Sequence, residues 1–128
     1  MGTTNFDTVA ADVLVGGAQQ PIQVASANGA ITIKSGIVAI TKAGVCVLTL
    51  AAPVAGAQSV GGDDGKILYL DAQTANAHTV TIANGLRGAG AGADVGTFGG
   101  AVGDGIALYA YNGAWYTVPG TNTNVTFA

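Results

Sequence analysis

Residues 105–118 read G-I-A-L-Y-A-Y-N-G-A-W-Y-T-V, two alternating segments joined by Asn112-Gly113, the strongest local hairpin signal a sequence offers. A two-residue turn there sets Tyr111 opposite Ala114, Ala110 opposite Trp115, Tyr109 opposite Tyr116 and Leu108 opposite Thr117. One face of the hairpin then carries Tyr109, Tyr111, Tyr116 and Val118, and the other Ile106, Leu108, Ala110 and Trp115. Neither face suits water, whereas a lone antiparallel sheet normally leaves one side polar. Something has to cover the second face: another sheet of the same chain, or a neighbouring copy.

The rest of the chain also reads as strands. There is no Glu, Gly interrupts the Ala residues, and Val, Ile and Thr dominate the regular segments. Strands are expected at residues 22–25, 30–34, 37–41, 45–50, 66–71, 79–83, 95–98 and 125–127, besides the hairpin. Asn28-Gly29 and Ser35-Gly36 read as two-residue hairpin turns; the second would set Ile33 opposite Val38 and Ile31 opposite Ile40. Residues 51–65 form a long loop, and the Gly/Ala run 86–93 is a loop too flexible to hold itself, ordered only by neighbours. No internal repeat stands out at a fixed period. The expected fold is all-β, a small antiparallel β-sandwich or partly closed barrel of about nine short strands in residues 21–128. Residues 1–20, set off by Gly16-Gly17, read as an extended N-terminal arm.

Composition excludes several classes of function. At 128 residues the chain makes one domain able to bury a core without disulfides. Only 9% of residues are charged, so the surface is built from Thr, Asn, Gln, Ser, Gly and Ala, and copies repel one another little. Seven Asp against three Lys and one Arg give a net charge of −3, which argues against nucleic acid and anionic membrane as partners. No signal peptide is expected, because Asp7 and Asp12 lie where one would be apolar.

The catalytic inventory is thin. One His, His78, precludes a multi-histidine metal site, and Ser26, Ser35 and Ser59 sit in no nucleophile elbow. Asp63-Asp64, between Gly61-Gly62 and Gly65, lacks the alternating ligand spacing of a calcium loop and reads as a solvated turn. Gly88, Gly90 and Gly92 precede no helix and no Lys-Ser/Thr pair, unlike a phosphate loop. Cys46, in V-C-V-L-T-L, reads as a small buried hydrophobe. Trp115 with Tyr116 has the makings of a sugar-stacking platform, but their apolar neighbours favour a core or an interface between copies, with Tyr109 and Tyr111. No enzyme, cofactor, metal or small-molecule substrate is expected.

Three segments carry a resemblance: N-G-A-I-T-I-K-S-G-I-V-A-I-T-K-A-G from Asn28, D-D-G-K-I-L from Asp63 with A-H-T-V-T from Ala77, and F-G-G-A-V-G-D-G-I-A-L-Y-A-Y-N-G-A-W-Y from Phe98. Together they resemble head decoration (cement) proteins of tailed bacteriophages, across most of residues 28–128. The resemblance implies a non-enzymatic virion subunit, made in the host cytoplasm. It would sit as a homotrimer on the outside of the capsid, bound to the major capsid protein. An alternative is a trimeric head-fibre or tail-associated receptor-binding module. On either reading the arm T-V-A-A-D-V-L-V suits strand addition to a partner sheet, with Phe6, Thr8, Val9, Val13, Leu14 and Val15 as its contact residues.

Overall fold

The computed structural model describes residues 19–90 and 92–128, and the six expected arm contacts, Phe6 to Val15, lie outside them. Ten strands follow in order: β1 (Ile22–Ala25), β2 (Gly29–Ala30), β3 (Gly36–Ile40), β4 (Val47–Leu50), β5 (Ile67–Ala72), β6 (Thr79–Ile82), β7 (Val95–Phe98), β8 (Gly105–Tyr111), β9 (Ala114–Thr117) and β10 (Val125–Phe127). They form two five-stranded sheets that do not close into a barrel. Sheet A has the order β1-β3-β5-β8-β9 and sheet B the order β10-β7-β6-β4-β2. The all-β sandwich is as expected.

The connectivity is not the expected antiparallel meander. From β1 to β6 the chain alternates between sheets, so β1, β3 and β5 run parallel in one sheet and β2, β4 and β6 parallel in the other. This is a flattened helical winding of three coils. Only β7 to β10 pair antiparallel with their neighbours. Ser35-Gly36 is therefore no hairpin turn, and Ile31 and Ile33 do not face Ile40 and Val38. Instead Gly36, at φ +105°, lies where β3 passes against β1: a Cβ there would come within 2.1 Å of the Pro21 carbonyl oxygen, which accepts from the Ile37 N–H at 2.8 Å. Glycine punctuation marks a corner of the winding there, and nothing local distinguishes a corner between sheets from a hairpin. Residues 31–34 cross between sheets, with Ile31 buried and Ile33 packed against the core.

Strands β3 and β4 align with β5 and β6 at one constant offset of 32 positions, Ile37 beside Tyr69 and Leu48 beside Val80. The winding thus contains a structural repeat that the sequence hides. Few equivalent positions carry the same residue, Thr49 and Thr81 among them, and most share only inward or outward orientation, such as Cys46 with His78; residues 51–65 are inserted between the two coils.

The hairpin has the expected register, with Leu108, Tyr109, Ala110 and Tyr111 opposite Thr117, Tyr116, Trp115 and Ala114. Its Trp115 face packs into the core with Val38, Ile40, Leu68 and Leu108 of sheet A and Leu48, Leu50, Val80, Ile82 and Phe98 of sheet B. Trp115 is 0% exposed, and its Nε1–H donates to the Ala51 carbonyl at 2.9 Å. The start of the Gly/Ala run is tied down within the chain: Arg87 N–H donates to the Trp115 carbonyl and Leu86 N–H to that of Ala93, so residues 86–87 lie along the β9 edge. At the opposite edge Gln23 points inward, donating to the Ala30 carbonyl and accepting from the Thr32 N–H. Trp115→Ala removes the largest core side chain and strands a carbonyl; it should lower unfolding free energy by about 3–5 kcal/mol in urea titrations.

Candidate functional site

The two sheets turn different surfaces outward. On sheet B the outward positions are Thr79, Thr97 and Thr126 in one row and Thr49 and Thr81 in the next, flanked by Val47 and Val95. Hydroxyl-bearing β-branched residues of this kind make an ordinary solvated sheet face. On sheet A the outward positions are Ile22, Val24, Ile37, Ala39, Ile67, Tyr69, Asp71, Tyr109, Tyr111 and Tyr116. Ile22 is 62% exposed, Val24 61%, Tyr69 49% and Tyr111 56%, and no described residue lies over them. Among the described residues these side chains make an apolar face that spans all five strands of the sheet, unlike the singly scattered hydrophobes of an ordinary surface.

Of the four aromatic residues singled out from sequence, three belong to this face. Tyr109 and Tyr116 stack with ring centroids 5.3 Å apart, Tyr111 lies 6.1 Å from Tyr116, and the Arg87 guanidinium sits 5.9 Å above the Tyr116 ring. The fourth, Trp115, is a core residue, which removes it from any sugar-stacking platform. Ile22, Val24, Ile37 and Tyr69 escape the sequence reading because their adjacency arises from parallel pairings between distant segments. Alternation within each strand shows which residues share a face, but not which strands are neighbours.

Two depressions break the face. A groove of about 380 Å³ runs between Ile37, Tyr69 and Asp71 on one side and Thr121 and Thr123 on the other, over Ala107. A second, of about 520 Å³, lies at the β1 edge, lined by Gln19, Gln20, Ile22 and Ile37. The carbonyls of Pro21 and Ala25 accept from β3, so the backbone polar groups of Ile22 and Val24 point away from it, toward the sheet edge.

Asp63 is not a solvated turn. It is 5% exposed, and its carboxylate accepts from Lys66 Nζ at 2.7 Å, Lys34 Nζ at 3.1 Å and the Val54 N–H at 2.7 Å. Both lysines are partly solvated, so each ion pair alone is worth little. Their convergence on one buried carboxylate pins the 51–65 insertion to the β2–β3 crossing and to the start of β5. The Lys66 ammonium, with the Val54 N–H, lowers the carboxyl from 3.8 to about 2. Asp104 is also held below its usual range, by the Ala101 N–H and then the Asn124 amide, which fix the turn before β8 to the segment before β10.

His78 is fully buried. Its Nδ1 accepts the Cys46 N–H at 3.0 Å, which places the proton on Nε2, directed at the Thr74 hydroxyl (3.0 Å) and carbonyl (3.2 Å). The ring packs edge-on against Phe98. It completes the β4–β6 ladder where a backbone partner is lacking. Cys46 is buried as expected, and burial pushes its thiol up. Among the described residues no group of three or more His, Cys, Asp or Glu is placed to hold a metal ion, and every buried side-chain polar atom has a partner.

Because the folded Asp63 carboxyl titrates below its unfolded counterpart, its contribution is complete above about pH 4 and is lost as pH falls from 4 toward 2. Urea midpoints should decline over that window. Asp63→Asn should flatten the decline and cost about 2 kcal/mol at pH 7. His78→Phe, which keeps the ring but leaves the Cys46 N–H orphaned, should cost about 1–3 kcal/mol by the same measurement. Comparison with known protein families, with curated proteins and with solved structures finds no match to this chain.

Proposed function

We propose that this chain is a structural virion subunit, a decoration (cement) protein that binds the outside of a tailed-phage head and stabilises its lattice. The observation that carries the reading is the outer face of sheet A: an apolar surface five strands wide, opposite a threonine-covered one, on a chain of 9% charged residues. Among the described residues nothing covers Ile22, Val24, Tyr69 and Tyr111, and an apolar surface of that kind suits contact with other subunits. Its partners on this reading are further copies of itself, as a trimer, and the major capsid protein. The acidic balance suits an exterior position, away from packaged DNA.

Cementing is mass action. A subunit that binds the assembled lattice and not its dissociated parts stabilises the lattice by about 2.7 kcal/mol per filled site at a free concentration 100 times Kd. The receptor-binding alternative loses its clearest anchor, since the Trp115 ring is inside the core.

Heads of the encoding phage, assembled without this chain, should take it up saturably and then withstand heating or chelation that disrupts bare heads. Removal of residues 1–20 should abolish uptake while far-UV circular dichroism keeps its β signature. Absence of saturable uptake by the full chain would overturn the reading, and undiminished uptake of the truncated chain would take the shell-binding role from the arm.

A further inference from the structure

Along β8 the outward residues are Gly105, Ala107, Tyr109 and Tyr111, two of the smallest side chains followed by two of the largest. The small end is obligatory at Gly105, where a Cβ would lie 2.3 Å from the Leu70 carbonyl oxygen. Above Ala107 opens the 380 Å³ groove, walled by Tyr69 and Asp71 on one side and Thr121 and Thr123 on the other. Its walls are fixed: Thr121 Oγ1 bonds the backbone of Ala107 and Val118, and Thr123 pairs with Gly105. At the large end Tyr111 projects past the last stacked ring. One face therefore carries a projection and a recess.

The recess does not serve the Tyr111 of its own chain. Ala107 and Gly105 are four and six residues back along β8, roughly 13–20 Å away at the rise of an extended strand. About 150 Å³ suffices to hold a benzene ring, so the groove has room for a phenol. Arg87 stands over Tyr116 at the projecting end, where Asp64 also accepts from the Asn112 N–H, and Asp71, which holds the Gln73 amide, lines the recess. Bringing the projecting end of one copy to the recessed end of another pairs shape with shape and positive with negative.

We infer that a second copy of this chain covers the outer face of sheet A, with Tyr111 of one copy seated in the Tyr69–Thr123 groove of the next and Arg87 brought to Asp71. The inference rests on the reading of the chain as a self-associating structural subunit and adds the contact by which copies recognise each other. Since projection and recess occupy different parts of the face, each copy gives one contact and receives one, either as a reciprocal pair of two copies or as a ring where the rotation closes.

Cysteine cross-linking tests it in the full chain. Asn112→Cys combined with Thr123→Cys, which keeps Tyr111, Arg87 and Asp71, should yield covalent multimers with a short bismaleimide linker, because seating of Tyr111 brings exposed position 112 beside the groove across copies but not within one. Asn112→Cys combined with Thr81→Cys, on the outer face of sheet B, should not. In light scattering the unmodified chain should have a mass that is a multiple of 12.4 kDa, and Tyr111→Ser should lower it. A single-chain mass for the unmodified protein, or equal cross-linking in both cysteine pairs, would overturn the contact. Head uptake separates the two readings: uptake without cross-links leaves decoration standing and removes this contact, and cross-links without uptake do the reverse.

Discussion

Each connection from β1 to β5 carries the chain across the sandwich, so the first strands pair with partners a full coil away in sequence. Everything else depends on that winding. It places β3 between β1 and β5, makes Gly36 a point of backbone contact with Pro21, and brings Cys46 and His78 side by side. Pairings across 32 positions carry a loop-closure cost that local hairpins avoid, and the antiparallel strands β8 and β9 offer a locally closed unit against which the coils can stack. Trp115 joins these parts: its ring fills the core, its indole N–H holds the chain leaving β4, and its carbonyl holds the 86–87 segment against the β9 edge.

The polar interior is sparse and local. Asp63, Asp104, His78 and Gln23 each stand where backbone groups lack a ladder partner, and each supplies the missing donor or acceptor. Among the described residues the one buried ion cluster sits on the longest insertion, residues 51–65, which small apolar side chains alone would hold weakly. The outer surfaces follow a different logic. Threonines on sheet B satisfy water, whereas Ile, Val and Tyr on sheet A do not, and the exposed apolar area is stabilised only when another surface removes it from water. Assembly at the face of sheet A is the consequence we propose for that asymmetry.

Alternation, turn chemistry and burial direction are short-range properties, and they were legible. The hairpin register follows from Asn112-Gly113 and a period of two; Val95–Phe98 and Val125–Phe127 fall where their β-branched and aromatic residues put them; Cys46 and Leu48 point inward as their pattern requires. Asp63 reads as solvated from sequence because a carboxylate among glycines looks exposed until Lys34, from another coil, joins Lys66 on it.

By itself the sequence determined that this chain is all-β, that the hairpin has two apolar faces, and that the surface carries little charge, since each depends on residues a few positions apart. Tertiary structure decided which strands became neighbours: parallel instead of antiparallel, with Ile22, Val24, Ile37 and Tyr69 gathered beside Tyr109, Tyr111 and Tyr116 into one exposed face. The reason is physical. A glycine at positive φ permits the chain to turn, but whether the next segment pairs with the last one or crosses to the opposite sheet is settled by how the whole set of apolar faces is buried at once.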